Sequence, residues 1–207
     1  QVLRSGAKPL SMGGDHTVTL PVLRALADSH GKMALVHVDA HADINDTMFG
    51  EKVAHGTIFR RALEEGLVDG SRMFQIGLRA TGYSAEDFDW SRKQGVRVVT
   101  AEGCWYQSLA PLMAEVRQII GAEMPVYLSF DIDGLDPSVA PGTGTPEPAG
   151  LTASQGLEII RGLYGTNIIG ADLVEVSPPY DTTGNTSLLA ANLLFEMLCS
   201  FPGCLRR

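Results

Sequence analysis

The sequence is poor in cysteine and has no long apolar run. Its three cysteines, Cys104, Cys199 and Cys204, are an odd number without metal-type spacing, which argues against a disulfide framework and against a cysteine zinc site. We therefore expect reduced thiols, packed as small hydrophobic side chains, in a cytoplasmic protein. No apolar stretch approaches the roughly 20 residues of a transmembrane helix, so we expect no membrane partner.

Basic residues are also scarce. The chain has 16 Lys and Arg against 24 Asp and Glu, a net charge of −8, whereas a nucleic-acid-binding domain would present a basic face. We therefore expect no nucleic-acid partner. With 207 residues, 44% of them hydrophobic, and no internal repeat, the chain is long enough for a single well-packed domain over residues 1–207.

Apolar runs alternate with helical patterns, which predicts an α/β fold, a three-layer α-β-α sandwich around a parallel sheet. The predicted strands cover residues 9–12, 33–38, 73–78, 96–100, 126–131 and 167–176. The predicted helices include residues 109–120, a helix that follows a capping box at residues 152–155 and continues to about residue 163, and an apolar helix over residues 186–199, buried on more than one side.

The most informative motif, Asp39-Ala-His41-Ala-Asp43, follows the buried strand at residues 33–38. Alternate strand residues share a face, so these side chains would project together with His37. Uncompensated charges there would be costly to bury, whereas a divalent cation compensates them. The mixed ligands suit Mn(II), Zn(II) or a similar ion. We expect His37, one strand pair deeper, to support the site rather than bind metal. A solvated loop with incidental charges is the alternative.

Two further motifs point to the same end of the sheet. Gly13-Gly14-Asp15-His16 combines a glycine turn with the start of a helix, and Asp131-Ile-Asp133-Gly ends another buried strand. Taken singly, each is compatible with a helix cap or an acidic turn. Together, two histidines and four aspartates are too many ligands for one ion and match two, which bridging carboxylates hold about 3.5–4 Å apart.

The three motifs, in this order, resemble those of the ureohydrolases, the family of arginase, agmatinase and guanidinobutyrase. The resemblance covers essentially the whole chain, including Ala54-His55-Gly56-Thr57 and Val174-Glu175-Val176, and residues 177–199 are similar to the guanidinobutyrase and agmatinase branch. Ureohydrolases carry a substantial segment before the glycine-pair motif. We therefore expect a longer protein, of which this chain is the C-terminal two-thirds of an arginase-like fold.

The resemblance implies two Mn(II) ions per chain, in preference to Ni(II) or Zn(II). The ligands of one ion would be His16, Asp39, Asp43 and Asp131, and those of the other Asp39, His41, Asp131 and Asp133. Asp39 and Asp131 would then bridge the ions. A hydroxide held there would attack a guanidinium carbon, giving urea and an amine. The family also implies a homo-oligomer, a trimer or a hexamer.

Three further residues receive roles from the resemblance. Glu175 matches the position that binds the guanidinium, which needs a carboxylate partner, although an ordinary acid at a strand end is the alternative. His55 matches the general acid or proton shuttle and would also contact the substrate, together with Asn45. Asp43 would accept a hydrogen bond from the hydroxide while it binds metal, and so is expected to be catalytic, as are Glu175 and His55.

The loop at residues 45–54 bears on the substrate. Arginases carry a polar stretch there that binds the amino-acid head group, but here Met48-Phe49 makes the middle apolar, which disfavours arginine. We expect 4-guanidinobutanoate, whose carboxylate could pair with Lys52, or agmatine, whose ammonium could pair with Glu51. Two alternatives remain open: a metal-dependent amide hydrolase related to deacetylases, and a catalytically silent assembly subunit of the same fold.

Overall fold

Six parallel strands form one sheet in the computed structural model, which describes residues 2–82 and 84–204. The strands are β1 (Leu10–Met12), β2 (Met33–Val38), β3 (Val68–Leu78), β4 (Arg97–Thr100), β5 (Pro125–Asp131) and β6 (Asn167–Val174). The α-helices are α1 (Thr19–His30), α2 (Ile58–Glu64), α3 (Ala85–Lys93), α4 (Ala101–Cys104), α5 (Ala110–Ile120), α6 (Ala153–Gly162) and α7 (Asn185–Ser200). Within the described ranges, no helix is long and apolar enough to cross a membrane.

Helices bury the sheet on both faces, as the sequence predicts. Neighbouring residues on β2 and β5 belong to different core clusters because strand side chains alternate between the two faces. Val36 and Leu128 pack with residues of α5, α6 and α7, whereas Leu35 and Tyr127 pack with residues of α1 and α2. The predicted three-layer sandwich is therefore confirmed.

The predicted elements are found, with differences at their ends. β3 begins at Val68, five residues earlier than predicted. β6 ends at Val174, two residues earlier, because Glu175 has a φ of 65° and leaves the extended conformation. α6 follows the predicted capping box, in which the Thr152 hydroxyl accepts from the Gln155 N–H and the Gln155 side chain accepts from the Thr152 N–H.

Two predictions about burial are partly wrong. One face of α7 is open, since Leu188, Phe195 and Leu198 are 72%, 61% and 45% exposed. Its apolar composition predicted burial on more than one side, but the described part of the chain places nothing over that face. Of the free cysteines, Cys104 is a buried hydrophobic residue as predicted, whereas Cys204 is exposed.

The strand order creates a switch point between β2 and β5. The chain runs outward from β2 through β3 to β4 and then returns on the other side of β2 as β5. Ligands of such sheets bind beyond the carboxyl ends of the strands at the switch point. The register pairs Val38 with Phe130 and Asp131 with Val174, so Asp39, Asp131 and Glu175 reach the same end of the sheet.

Candidate metal centre

At the carboxyl ends of β2 and β5, one oxygen of each of three aspartates accepts a backbone N–H. Asp39 Oδ1 accepts the His41 N–H at 2.6 Å, and Asp131 Oδ1 accepts the Asp133 N–H at 2.9 Å. Asp133 Oδ1 accepts the Ala40 N–H at 3.1 Å and so joins the two loops. These bonds fix the rotamers of three aspartates and leave the Oδ2 atoms available for other contacts.

Glycine permits the close approach that these loops need. A Cβ at Gly134 would lie 3.0 Å from both Asp39 N and Val38 Cγ1, so a larger residue would push the loops apart. In the Gly13-Gly14-Asp15-His16 motif, the two glycines have φ values of 113° and 71°, which residues with a side chain rarely adopt. This turn is fixed to the sheet end, since Gly14 O accepts the Glu175 N–H at 3.0 Å.

The three motifs place two histidines among carboxylates. His16 Nδ1 faces three Oδ2 atoms, at 3.3 Å for Asp39, 3.1 Å for Asp43 and 3.4 Å for Asp131, and all four residues are buried. His41 Nδ1 lies 3.3 Å from Asp39 Oδ1 and 3.1 Å from Asp133 Oδ2. Asp39 belongs to both groups, which is the arrangement that a shared ligand requires. The structure therefore brings all six predicted metal ligands together.

The cluster carries an excess of negative charge. Burial lowers the pKa of His16, but the attraction of the adjacent Asp131, Asp39 and Asp43 carboxylates outweighs this and raises it well above its usual value. For His41, the same competition, with bonds to Asp133 and Asp39, raises the pKa to about 11. Burial and the neighbouring Asp133 and Asp39 charges raise the pKa of Asp131 well above its usual range. A raised pKa means that the group holds a proton more tightly, so all three groups favour added positive charge.

Divalent ions fit this donor set. Among the described residues, His16 Nδ1 is a buried atom that makes no hydrogen bond of normal geometry, although three acceptor oxygens surround it. A nitrogen in that setting needs either a proton or a cation. Atoms of His16, Asp39 and Asp43 lie close enough to share one ion, and so do atoms of Asp39, His41 and Asp133. Carboxylate oxygens with one imidazole suit Mn(II) and similar first-row ions.

His37, on β2 just before the cluster, lies within reach of the same ion as His16, Asp39 and Asp43, but both of its ring nitrogens already have partners. Its Nε2 lies 2.7 Å from Asp39 Oδ2, and the Gln75 amide donates to its Nδ1 at 3.0 Å and to Ala42 O at 2.6 Å. Because Nδ1 accepts, Nε2 carries the proton and donates to Asp39. Sequence reasoning missed Gln75, although the β2–β3 register pairs it with His37.

A cleft of about 210 Å³ opens beside the cluster, and the predicted substrate-binding residues Asn45 and His55 both line it. His41 and Asp43 line it as well. Asn45 donates through Nδ2 to Gly56 O at 3.0 Å, so it also fixes the loop on which His55 lies.

Glu175 lies outside the described lining of the cleft and accepts the His16 N–H through Oε1 at 2.8 Å. Burial raises its pKa, against the His16 hydrogen bond and the charges of His16 and His55, which lower it. Glu175 directly follows β6 and contacts the glycine-pair motif through both its side chain and its backbone N–H.

Arg79 is a second residue that sequence reasoning missed. Its guanidinium donates to Asp133 O at 2.8 Å, to Gly134 O at 3.2 Å and to Glu147 O at 2.6 Å, and so ties the segment after β5 to the end of β3. Burial lowers its pKa, against the attraction of Asp133 and other acids nearby. Its partners are backbone carbonyls, which leave no trace in a sequence.

The sequence is similar to those of known proteins. The sequence matches the arginase family over residues 1–199. It is 70% identical over 207 residues to a guanidinobutyrase from Pseudomonas aeruginosa, covering 100% of this chain and 65% of the relative. It is 60% identical over 203 residues to a mitochondrial agmatinase from Gallus gallus, covering 98% and 59%. The chain thus spans less than two-thirds of the length of these relatives.

A solved structure agrees with the sequence comparison. The fold superimposes with a TM-score of 0.86 on proclavaminate amidino hydrolase from Streptomyces clavuligerus, at 42% identity, covering 93% of this chain and 63% of that one. The parallel sheet with helices on both faces agrees with the family match. The chain belongs to the arginase family, the ureohydrolases.

Proposed function

We propose that this chain carries the metal centre of an enzyme that hydrolyses a guanidino compound to urea and an amine. The observation that carries the proposal is the pair of carboxylate–imidazole groups that share Asp39, next to a cleft lined by His55. The similarity to a guanidinobutyrase and to an agmatinase supports it. Neither relative supports the alternative of a deacetylase-like amide hydrolase.

We assign two ions, with Mn(II) as the preferred metal. The proposed ligands of one are His16, Asp39, Asp43 and Asp131, and those of the other Asp39, His41, Asp131 and Asp133. When bound, such a pair supplies an activated water as the nucleophile and offsets the buried negative charge. The backbone N–H groups that hold Asp39, Asp131 and Asp133 orient these ligands in advance.

The remaining residues bind the substrate and move its protons. The Glu175 carboxylate pairs with the guanidinium, and the bond from the His16 N–H holds it in place. Water adds its oxygen to the guanidinium carbon, the bond from that carbon to the alkylated nitrogen breaks, and His55 delivers a proton to the departing amine. Asp43 accepts a hydrogen bond from the attacking water, and Asn45 contacts the substrate while it holds the His55 loop.

We propose 4-guanidinobutanoate as the substrate, on the strength of the 70% identity to a guanidinobutyrase. One observation favours agmatine as the second candidate. The described lining of the cleft contains neither lysine nor arginine to meet a carboxylate tail, although Asp87 in that lining is already paired with Arg60 at 2.7 Å. Lys52, the predicted partner of a carboxylate tail, donates instead to Asp46 Oδ1 at 2.6 Å.

Urea release tests the proposal directly. The whole protein, loaded with Mn(II), is assayed with 4-guanidinobutanoate, agmatine, 3-guanidinopropanoate and arginine, and its bound metal is counted. We expect two ions per chain and the highest kcat/KM with 4-guanidinobutanoate. A higher kcat/KM with agmatine would show that the cleft accepts a substrate with a cationic tail. One ion per chain with no urea from any substrate would overturn the proposed function.

A further inference from the structure

Asp172 is a fully buried carboxylate that the proposed reaction does not use. It lies on β6 and accepts three hydroxyl hydrogen bonds, from Ser129 Oγ at 2.7 Å, Tyr127 Oη at 2.7 Å and Thr19 Oγ1 at 2.6 Å. No side chain of the proposed metal centre is among these partners. A carboxylate buried in this way is costly unless hydrogen bonds satisfy its oxygens, and these three hydroxyls do so.

Its link to the metal centre runs through Ser129. The register pairs Ser129 with Asp172 across β5 and β6, and Ser129 Oγ lies 2.8 Å from His16 Nε2. The hydroxyl has one proton, and a carboxylate can only accept. The Ser129 proton is therefore committed to Asp172, and the Ser129 oxygen must accept from His16 Nε2.

This assignment determines which nitrogen of His16 can bind metal. With the proton on Nε2, the lone pair is on Nδ1, the atom that faces Asp39, Asp43 and Asp131 at 3.1–3.4 Å. A proton on Nδ1 instead would block that position. Partners of this kind also make a ligand imidazole more basic, and their loss typically costs about 10- to 100-fold in metal affinity.

We infer that Asp172 is a positioning residue, which acts through Ser129 to hold His16 as the Nε2–H tautomer and thereby sets the affinity of one metal position. Tyr127 and Thr19 donate to the other carboxylate oxygen and hold Asp172 in place. The second proposed ion, whose imidazole ligand is His41, has no such connection among the described residues. The inference rests on the proposed metal centre.

Asp172→Asn is the direct test, because the amide keeps the shape but can donate to Ser129 and so release its proton toward His16. Ser129→Ala removes the link with a smaller change in a buried site. Tyr127→Phe is the matched control, since it removes one hydroxyl from Asp172 and leaves the Ser129 bond. Stepwise Mn(II) binding to each metal-free whole protein is measured by titration calorimetry, with its thermal midpoint as the measure of folding.

Asp172→Asn and Ser129→Ala should each weaken one of the two ions by about 10- to 100-fold. The affinity for the other ion should change less. The variant that combines Asp172→Asn with Ser129→Ala should bind the affected ion no more weakly than either single variant, because the two residues act in series. Tyr127→Phe should bind both ions nearly as the unmodified protein does. Unchanged affinity in Asp172→Asn, or equal weakening of both ions that follows the thermal midpoint in all three variants, would overturn the inference. Failure of the unmodified protein to bind Mn(II) would overturn the proposed metal centre itself.

Discussion

Glu175→Gln tests the proposed orientation of the substrate. The Glu175 Oε1 atom accepts the His16 N–H at 2.8 Å, and the amide oxygen of glutamine can make the same bond. The substitution therefore preserves the contact between the end of β6 and the glycine-pair turn, and with it the position of His16. What it removes is the negative charge that would face the guanidinium.

The size of the effect follows from the surroundings of Glu175. Glu175 is partly buried, and this burial raises the pKa of its carboxyl because solvent stabilises the charge less well there. Removing one side of a buried charged pair costs about 2–5 kcal/mol, equivalent to a fall in kcat/KM of roughly 30- to 5,000-fold. The fall should be similar for every guanidino substrate, because the group that Glu175 contacts is common to all of them.

Urea release from 4-guanidinobutanoate and from agmatine measures this loss, with bound metal counted in parallel. Glu123→Gln is the control, since it makes the same charge change at an exposed residue just before β5, at the opposite end of that strand from the metal centre. Suppose Glu175→Gln changed the preference between the two substrates but spared the rate with the better one. Glu175 would then contact the tail, and the proposed orientation would be reversed.

Three other substitutions test separate parts of the site. Asp39→Asn should weaken both ions together, whereas His41→Asn should weaken mainly one, and metal analysis that still found two tightly held ions in Asp39→Asn would refute the shared-ligand assignment. His55→Ala should retain metal and substrate but lower turnover by about 10²–10⁴-fold, and an unchanged kcat at saturating substrate would leave His55 a structural role only. Arg79→Lys keeps the charge but loses the planar fork, so the free energy of unfolding in denaturant should fall by about 2–4 kcal/mol; a change within about 0.5 kcal/mol would show that the carbonyl contacts contribute little.

The part of the site that the sequence could predict is the part encoded locally. In Asp39-Ala-His41-Ala-Asp43, residue type, strand period and the preceding apolar run are all visible within one short segment. The rule that ligands bind at the carboxyl ends of parallel strands then places separate segments at one site without any knowledge of their contacts.

Contacts between distant segments could not be predicted in this way. His16 and Ser129 are 113 residues apart, and Ser129 and Asp172 are 43 apart, so the network exists only through the order β1-β6-β5-β2. The same holds for Gln75, which looks like an ordinary polar strand residue until the register places it beside His37. Residue type alone does not distinguish such a side chain from a solvated one.

The end of β6 shows why one prediction about a strand boundary was wrong at a proposed functional residue. Val174 and Val176 favour an extended chain, and the pattern predicted a strand through residue 176. Instead Glu175 has a φ of 65°, a left-handed conformation that costs a residue with a side chain about 1–3 kcal/mol. Two contacts with the glycine-pair turn oppose that cost, one from the Glu175 N–H to Gly14 O and one from the His16 N–H to Oε1. Local preference is therefore overridden where the proposed function needs a carboxylate turned toward the metal centre. Asp43, the other carboxylate that we propose to be catalytic, likewise has a positive φ, of 52°.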